Sequence, residues 1–526
     1  MKDNSSFRVI LVVLISLIVI VLWGYFFGEK PRPAQNDVAT NAAPKTLEQK
    51  DTLQEAPKAP IISRIVSKDF EIEIDALGRF SQVYLKDKKY TQSKDLGFFE
   101  HIKILFGIKK APEHADKLAL FSDKFVKPLE LRFKNPAINE LAFKTNYVAS
   151  SDLVEITNEP KTLSLVQKLG DLSITKNLII YPDLHYKLDI KLSKNESFFV
   201  TNGSRPVSDN ENYAFNGVIS KNADDKITKI EDGDIKELQS IENARFVASV
   251  DRYYSSLFYA LDSNLLDVKI DASALKDPIP FVEAQNNISL GGFIGPKIYD
   301  LLEGLDPHLT SVVEYGLVTF FAKPLFLLLE YLHKLSSNWG FAIILLTIIV
   351  KILLYPLSYK GMVSMQRLKD IAPKMKELQA KYKKEPEKLR IQMMNLYKKH
   401  GANPMSGCLP LIIQIPIFYA IYRVLYNSVE LKSAPFILWI HDLSVLDPYF
   451  VLPVLMGISL YIQQSLTPNT MTDPIQAKIF KMLPVIFTLF LIFFPAGLVL
   501  YWTINNILSI LQQLAINKML ARKKIQ

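Results

Sequence analysis

Residues 339–357 form an apolar run long enough to enter a bilayer, yet its interior carries an amine, Lys351. Between positions 341 and 357 only Thr347 and Lys351 are strongly polar. With Tyr355 they recur at i, i+4 and i+8, so one face of a continuous helix would carry hydroxyl, ammonium and phenol. An ionisable group at membrane depth costs roughly 2.5–3.5 kcal/mol on insertion scales and usually faces protein or a wet cavity, which makes Lys351 a candidate functional residue. At a rise of about 1.5 Å per residue, Lys351 lies about 9 Å from Leu357 and about 15 Å from Phe341. A cation that merely snorkels to nearby headgroups is equally compatible with these residues.

Further apolar runs lie at 9–27, 409–426, 450–466, 482–494 and 498–516. The first follows Lys2 and Arg8, ends in Trp23, Tyr25, Phe26 and Phe27, and lacks a small-x-small cleavage site, so it reads as an uncleaved anchor with a cytoplasmic N-terminus. The later runs hold Gln414, Arg423, Thr488, Thr503, Asn505 and Asn506, and several are short for a hydrocarbon layer of about 30 Å, so either the bilayer is locally thinned or the helices extend beyond these borders.

Composition matters where the charge sits. The chain of 526 residues is 49% hydrophobic with net charge +9, which admits nucleic acid or membrane as a partner. The basic residues between Lys360 and Lys399 far outnumber Asp370, Glu377, Glu385 and Glu387, a cytoplasmic mark beside a membrane helix. Pro386 divides this stretch into two amphipathic arms, a helical hairpin. A spanning helix at 312–332 would strand these charges outside, so that stretch, interrupted by Glu314, Lys323 and Glu330, is expected in the outer interface. Arg522, Lys523 and Lys524 return the chain to the cytoplasm, for six spans in all.

From Ile61 onward the period changes to two. Phe70, Ile72 and Ile74 alternate with Glu71, Glu73 and Asp75; Leu129, Leu131 and Phe133 recur in the same way; Leu184, Tyr186, Leu188, Ile190 and Leu192 alternate with polar neighbours. Asn202-Gly203, Asn216-Gly217 and Asp232-Gly233 supply turns, so an antiparallel sandwich is expected. The single cysteine, Cys408, excludes an intramolecular disulfide. No metal-ligand cluster, phosphate loop or nucleophile elbow is present, so neither enzyme, cofactor nor metal chemistry is expected. No pair of intramembrane carboxylates is available for a proton relay.

The chain also carries Asn338-Trp339-Gly340, Tyr355-Pro356-Leu357, Asn403-Pro404, Gly407-Cys408, Gln414-Ile415-Pro416-Ile417-Phe418, Trp439-Ile440-His441-Asp442-Leu443, Thr472-Asp473-Pro474 and Gly497-Leu498-Val499-Leu500-Tyr501. Their order resembles the YidC membrane-protein insertases of Gram-negative bacteria. The likeness covers most of 295–513, and the exported region matches only in position and kind.

The resemblance implies a multi-span α-helical membrane protein with a five-helix core, an exported β-sandwich and a cytoplasmic hairpin. The expected segments are an anchor at 1–27, a linker at 28–60, the periplasmic sandwich at 61–310, an interfacial helix at 311–335, a membrane helix at 338–359, the hairpin at 360–403, four more membrane helices within 407–516, and a tail at 517–526. The implied activity is inner-membrane insertion and folding of nascent membrane proteins, without nucleotide, alone or beside the Sec translocon, through a hydrophilic groove open to cytoplasm and lipid. The groove residues are Lys351, Thr347, Gln414 and Asn505; the apolar guide is Ile417, Phe418, Leu425, Ile486, Phe490 and Phe494, with Tyr501 and Trp502. The family usually has arginine at the Lys351 position, so bidentate pairing is lost here. The family's long basic tail has no counterpart beyond Arg522 to Lys524, which leaves the hairpin as the element available to a ribosome; no direct nucleic-acid contact is implied. Two rivals remain: a channel or small-solute transporter, and a membrane-tethered periplasmic binding module.

Overall fold

The computed structural model describes residues 58–525, excepting 92–97, 111–114, 124, 207–213, 262–263, 274–275, 383–384, 401–408 and 467–473. The expected anchor at 1–27, nearly all of the linker, and the Asn403-Pro404, Gly407-Cys408 and Thr472-Asp473 motifs therefore lie outside the described residues.

Strands form where alternation is strictest. In His185–Leu192 the inward residues Tyr186, Leu188 and Ile190 are essentially inaccessible, and the strand is antiparallel to both Leu172–Ile180 and Asn287–Pro296. It belongs to a thirteen-stranded antiparallel sheet; a five-stranded sheet covers it, with one parallel pair between Ile61–Val66 and Leu153–Glu155. Phe80 of the smaller sheet meets Tyr186 of the larger edge-on at 5.3 Å.

Alternation does not put every charged side chain of these strands in water. Asp75 and Arg132 are buried rather than facing water, because Arg79 bridges Asp75 at 2.8 Å and Glu130 at 3.0 Å while Arg132 pairs with Glu130 at 2.7 Å. Lys176 occupies an inward position between Ile174 and Leu178. Its Nζ donates to Gly78 O at 2.8 Å and Leu129 O at 2.7 Å, with the Tyr147 ring 4.6 Å away. This amine ties the large sheet to the Gly78 turn of the small one.

Helices α1 (Lys88–Thr91), α2 (Phe98–Leu105), α3 (Pro136–Lys144) and α4 (Tyr299–Leu305) accompany the sheets. The helical part follows: α5 (Thr319–Ser336), α6 (Trp339–Leu353), α7 (Tyr355–Lys381), α8 (Pro386–Lys399), α9 (Leu409–Asn427), α10 (Val451–Leu466), α11 (Pro474–Leu491) and α12 (Ala496–Ile525). The α5 helix starts later than the interfacial segment expected from 311, after two short 3-10 turns, and α12 continues through residues expected to form a separate tail. Among the described residues no single helix is both long and apolar enough to cross a membrane; α6 and α7 meet that test only together.

Asn338 caps α6 by accepting from Phe341 N at 3.2 Å and also donates to Phe436 O at 3.1 Å. The next motif residue is glycine because a Cβ at Gly340 would fall 2.0 Å from the Phe436 ring. At Leu354 the chain bends by 65° into α7. Pro356 lacks an N–H and its ring opposes the carbonyl four residues back, so the first helix cannot continue through it. Tyr355 consequently starts α7 and does not extend the Thr347–Lys351 face. The two hairpin arms pack through Leu368, Ile371 and Met375 against Met393, Leu396 and Tyr397.

The β-rich and helical parts share one apolar core. At their junction Arg252 Nε donates to Tyr426 O at 2.7 Å and the guanidinium lies 3.7 Å from the Tyr426 ring, while Lys432 sits over Tyr253 at 4.9 Å. Asn427 donates to Glu314 O at 2.6 Å, and Glu314 pairs with Lys229 at 2.5 Å.

Burial pulls the Lys176 ammonium down to about 7. Above that value the folded chain has released a proton that the unfolded chain retains up to about 10.4, so stability rises with pH across this window and the gain is absent below it. Thermal unfolding followed by β-sheet circular dichroism should show a melting temperature that climbs from about pH 7 to about pH 9 in the parent, with a shallower climb in Lys176→Met, the difference reaching at most about 1.4 kcal/mol per pH unit.

Candidate functional site

A stripe along α12 sets the position of the site. Tyr501, Asn505, Ser509 and Gln513 recur every four residues, so they stack on one helix face and put phenol, amide, hydroxyl and amide in line. That face closes one side of a cavity of about 510 Å³. The other walls come from Lys351 at the end of α6, Ser358 and Met362 of α7, Gln414 and Phe418 of α9, Gln463 of α10, and Phe487 of α11. The bend at Leu354 is what brings the start of α7 to this cavity.

Close packing holds the walls. A Cβ on Gly457 of α10 would lie 1.9 Å from Thr488 Oγ1, so glycine there lets α10 and α11 approach. Asn506 Nδ2 donates to Ser459 Oγ at 3.2 Å, and Gln414 Nε2 donates to the Tyr501 hydroxyl at 3.1 Å, cross-linking α12 to α10 and α9. The connection between α9 and α10 is fixed by Trp439 Nε1 donating to Asp447, which also accepts from Leu452 N at the start of α10.

Lys351 is the charged side chain among the described residues lining the cavity. It is half-buried, and among those residues no carboxylate, carbonyl or hydroxyl accepts from its Nζ. The Asn505 side-chain amide likewise has no partner among the described residues. Such a site offers a positive charge and hydrogen-bonding groups beside apolar walls, without an internal counter-ion to occupy the ammonium.

The expected site residues separate into three groups. Lys351, Gln414, Asn505, Phe418, Tyr501 and Trp502 meet in the cavity wall, where Trp502 contacts Phe418 at 4.4 Å and Phe487 at 5.4 Å. Ile486 and Phe490 are about half exposed on the outside of α11. Leu425 is buried in the core, and Ile417 and Phe494 pack against it.

Thr347 departs from the expected groove: it is 1% exposed, and its hydroxyl donates to Ile343 O at 2.6 Å within its own helix, so it does not assist the ammonium. Gln463, Ser509, Gln513, Ser358 and Met362 were not anticipated in the site. The four-residue spacing that continues past Asn505 was the available signal for Ser509 and Gln513, whereas Ser358 and Met362 depend on the bend.

Comparison with known proteins gives a consistent assignment along the chain. A family described as 60Kd inner membrane protein matches residues 331–524, and one described as YidC periplasmic domain matches 144–328. A membrane protein insertase YidC of Helicobacter pylori is 54% identical, with 99% of this chain and 98% of the relative covered. Proteins of the same description from Wolinella succinogenes and Campylobacter jejuni are 49% and 44% identical, each covering 99% of this chain and 97% and 98% of the respective relative.

The Gln414–Tyr501 bond should be measurable as a coupling. In detergent, Gln414→Leu and Tyr501→Phe should each lower thermal stability, and the double variant should fall short of the sum by about 0.6 kcal/mol; strict additivity would mean that the two groups do not interact.

Proposed function

The chain belongs to the YidC family of membrane protein insertases, and from that premise we propose that it guides newly made proteins into the inner membrane through the cavity around Lys351. It is an inner-membrane protein with a periplasmic domain. In the proposed topology, six helices span, both termini are cytoplasmic, and α5 lies along the outer interface. The cavity opens toward the cytoplasm and lipid. The observation that carries the proposal is an ammonium with no carboxylate partner among the described residues, set among amides, hydroxyls and aromatic rings.

Carrying an acidic or polar segment through hydrocarbon unaided is prohibitive because its charges lose water without replacement. Lys351 would hold the acidic part of a client transiently, Gln414 and Asn505 would replace part of its hydration, and Phe418, Tyr501 and Trp502 would accept its apolar side chains. Ile486 and Phe490, exposed on α11, would then pass the client helix to lipid. The fifteen residues of α6 rise about 22 Å, less than a hydrocarbon layer of about 30 Å, which supports a thinned bilayer and a shorter crossing. Cooperation with the Sec translocon and ribosome contact through the α7–α8 hairpin are parts of the same proposal. The hairpin's basic surface supports the second of these.

In reconstituted liposomes Lys351→Arg should retain insertion, whereas Lys351→Glu should impair clients with acidic exported tails by about tenfold or more and leave neutral-tailed clients closer to the parent rate. Protease protection of the exported tail measures both. Equal rates for the two client types in Lys351→Glu would remove the electrostatic step from the proposal.

A further inference from the structure

We propose that α2 (Phe98–Leu105) and the turn after it form a second membrane-contacting element, which rests the β-rich part on an anionic outer-leaflet surface through Phe106 and Ile108. The inference rests on the outer-interface position proposed above for α5. The turn is closed by its own backbone: the amides of Phe106, Gly107 and Ile108 donate to the carbonyls of Ile102, Ile104 and Lys103 at 3.0, 2.9 and 2.8 Å. Gly107 takes φ 69°, a conformation a side-chain-bearing residue adopts only with strain.

This turn holds Phe106 and Ile108 outward, 73% and 74% exposed, beside a 42% exposed Leu105. Lys103, Lys109 and Lys110 are exposed in the same stretch, and the one acidic residue of α2, Glu100, lies in its first turn, before the apolar tips. Apolar tips flanked by amines suit a lipid interface, where the tips enter the acyl boundary and the amines remain at phosphate level.

The attachment of α1 to the helical part favours lipid over another protein. Immediately before α2, the backbone of α1 meets the helical part, where Ser433 Oγ donates to Lys89 O at 2.7 Å. Burial first, then the charges of Lys89 and Lys334, hold the His333 imidazole below its ordinary value, so Lys89 lies within electrostatic reach of His333 in the last turns of α5. His333 stacks at 4.0 Å on Trp339, the first residue of α6. Thus α1 lies where α6 begins, and the seven residue steps from Thr91 to Phe98 reach at most about 25 Å. On α5 itself, Phe320, Phe321 and Leu335 are exposed by 83%, 51% and 65%, so the tip of α2 would add to an apolar surface at the same interface.

The test uses the full chain carrying Cys408→Ser, with a nitroxide on Leu105→Cys, on Phe320→Cys, or on Asp171→Cys, whose parent side chain is 91% exposed. Liposomes contain either phosphatidylethanolamine with phosphatidylglycerol or phosphatidylcholine alone. Relaxation by oxygen against a water-soluble nickel chelate should report lipid contact at 105 and 320 and water at 171. Phe106→Ser with Ile108→Ser should return position 105 to water. Changing Lys103, Lys109 and Lys110 together to Gln should lower its docked-to-undocked ratio about a hundredfold in the anionic liposomes.

Water contact at 105 with lipid contact at 320 would overturn the α2 docking alone, and water contact at both would overturn it together with the α5 reading. Shielding of 105 from both relaxants would indicate a protein partner and overturn the lipid assignment. Lipid contact at 105 that is equal in both liposomes and indifferent to the lysines would overturn the anionic selection.

Discussion

An ammonium group in a low-dielectric wall is costly unless something compensates it, and among the described residues no carboxylate does so for Lys351. Lys351 stands at the end of α6 beside amides, hydroxyls and rings. Pairing it internally would satisfy the charge and also end its use, because an acidic client would have to displace the partner. Leaving it unpaired requires access to water or to a client. The surrounding helices meet that requirement by enclosing a cavity instead of closing into a dry bundle.

The bend at Leu354 is the local condition for this arrangement. A straight continuation of α6 would carry Tyr355 along the Thr347–Lys351 face and the hairpin along the same axis. Pro356 instead sits in the first turn of a new helix, and the 65° turn brings Ser358 and Met362 to the cavity. The α6 face and the α7–α8 hairpin are thereby coupled through one short segment. On the opposite side, Arg252, Tyr426 and Lys432 join the β-rich part to the ends of the helices, so the same core stabilises both.

Much of this was legible because period and charge are local signals. The alternation around Leu188 and the cation in an apolar run could be read directly, and family motifs brought Gln414, Phe418 and Tyr501 into the same site. Periodicity records which residues share a face only while the element continues, and Tyr355 lost that face when α6 stopped. Thr347 failed for another reason: its hydroxyl can bond its own helix, so a polar residue one turn from Lys351 did not have to face the cavity. Lys176 also escaped pattern reading, because two backbone carbonyls satisfy an amine at a position the alternation reserves for apolar side chains.

The same physical distinction separates Lys176 from Lys351. Lys176 is surrounded by fixed carbonyls and a ring, and its burial favours loss of the proton; it acts as a clamp between sheets. Lys351 has no such fixed acceptors among the described residues and faces a cavity large enough to admit other groups. The protein thus uses one residue type in two ways, according to whether the chain itself completes the hydrogen bonds. On the proposed reading the incomplete case is the useful one, since a client that completed those bonds while passing would be held only until its apolar segment reached lipid.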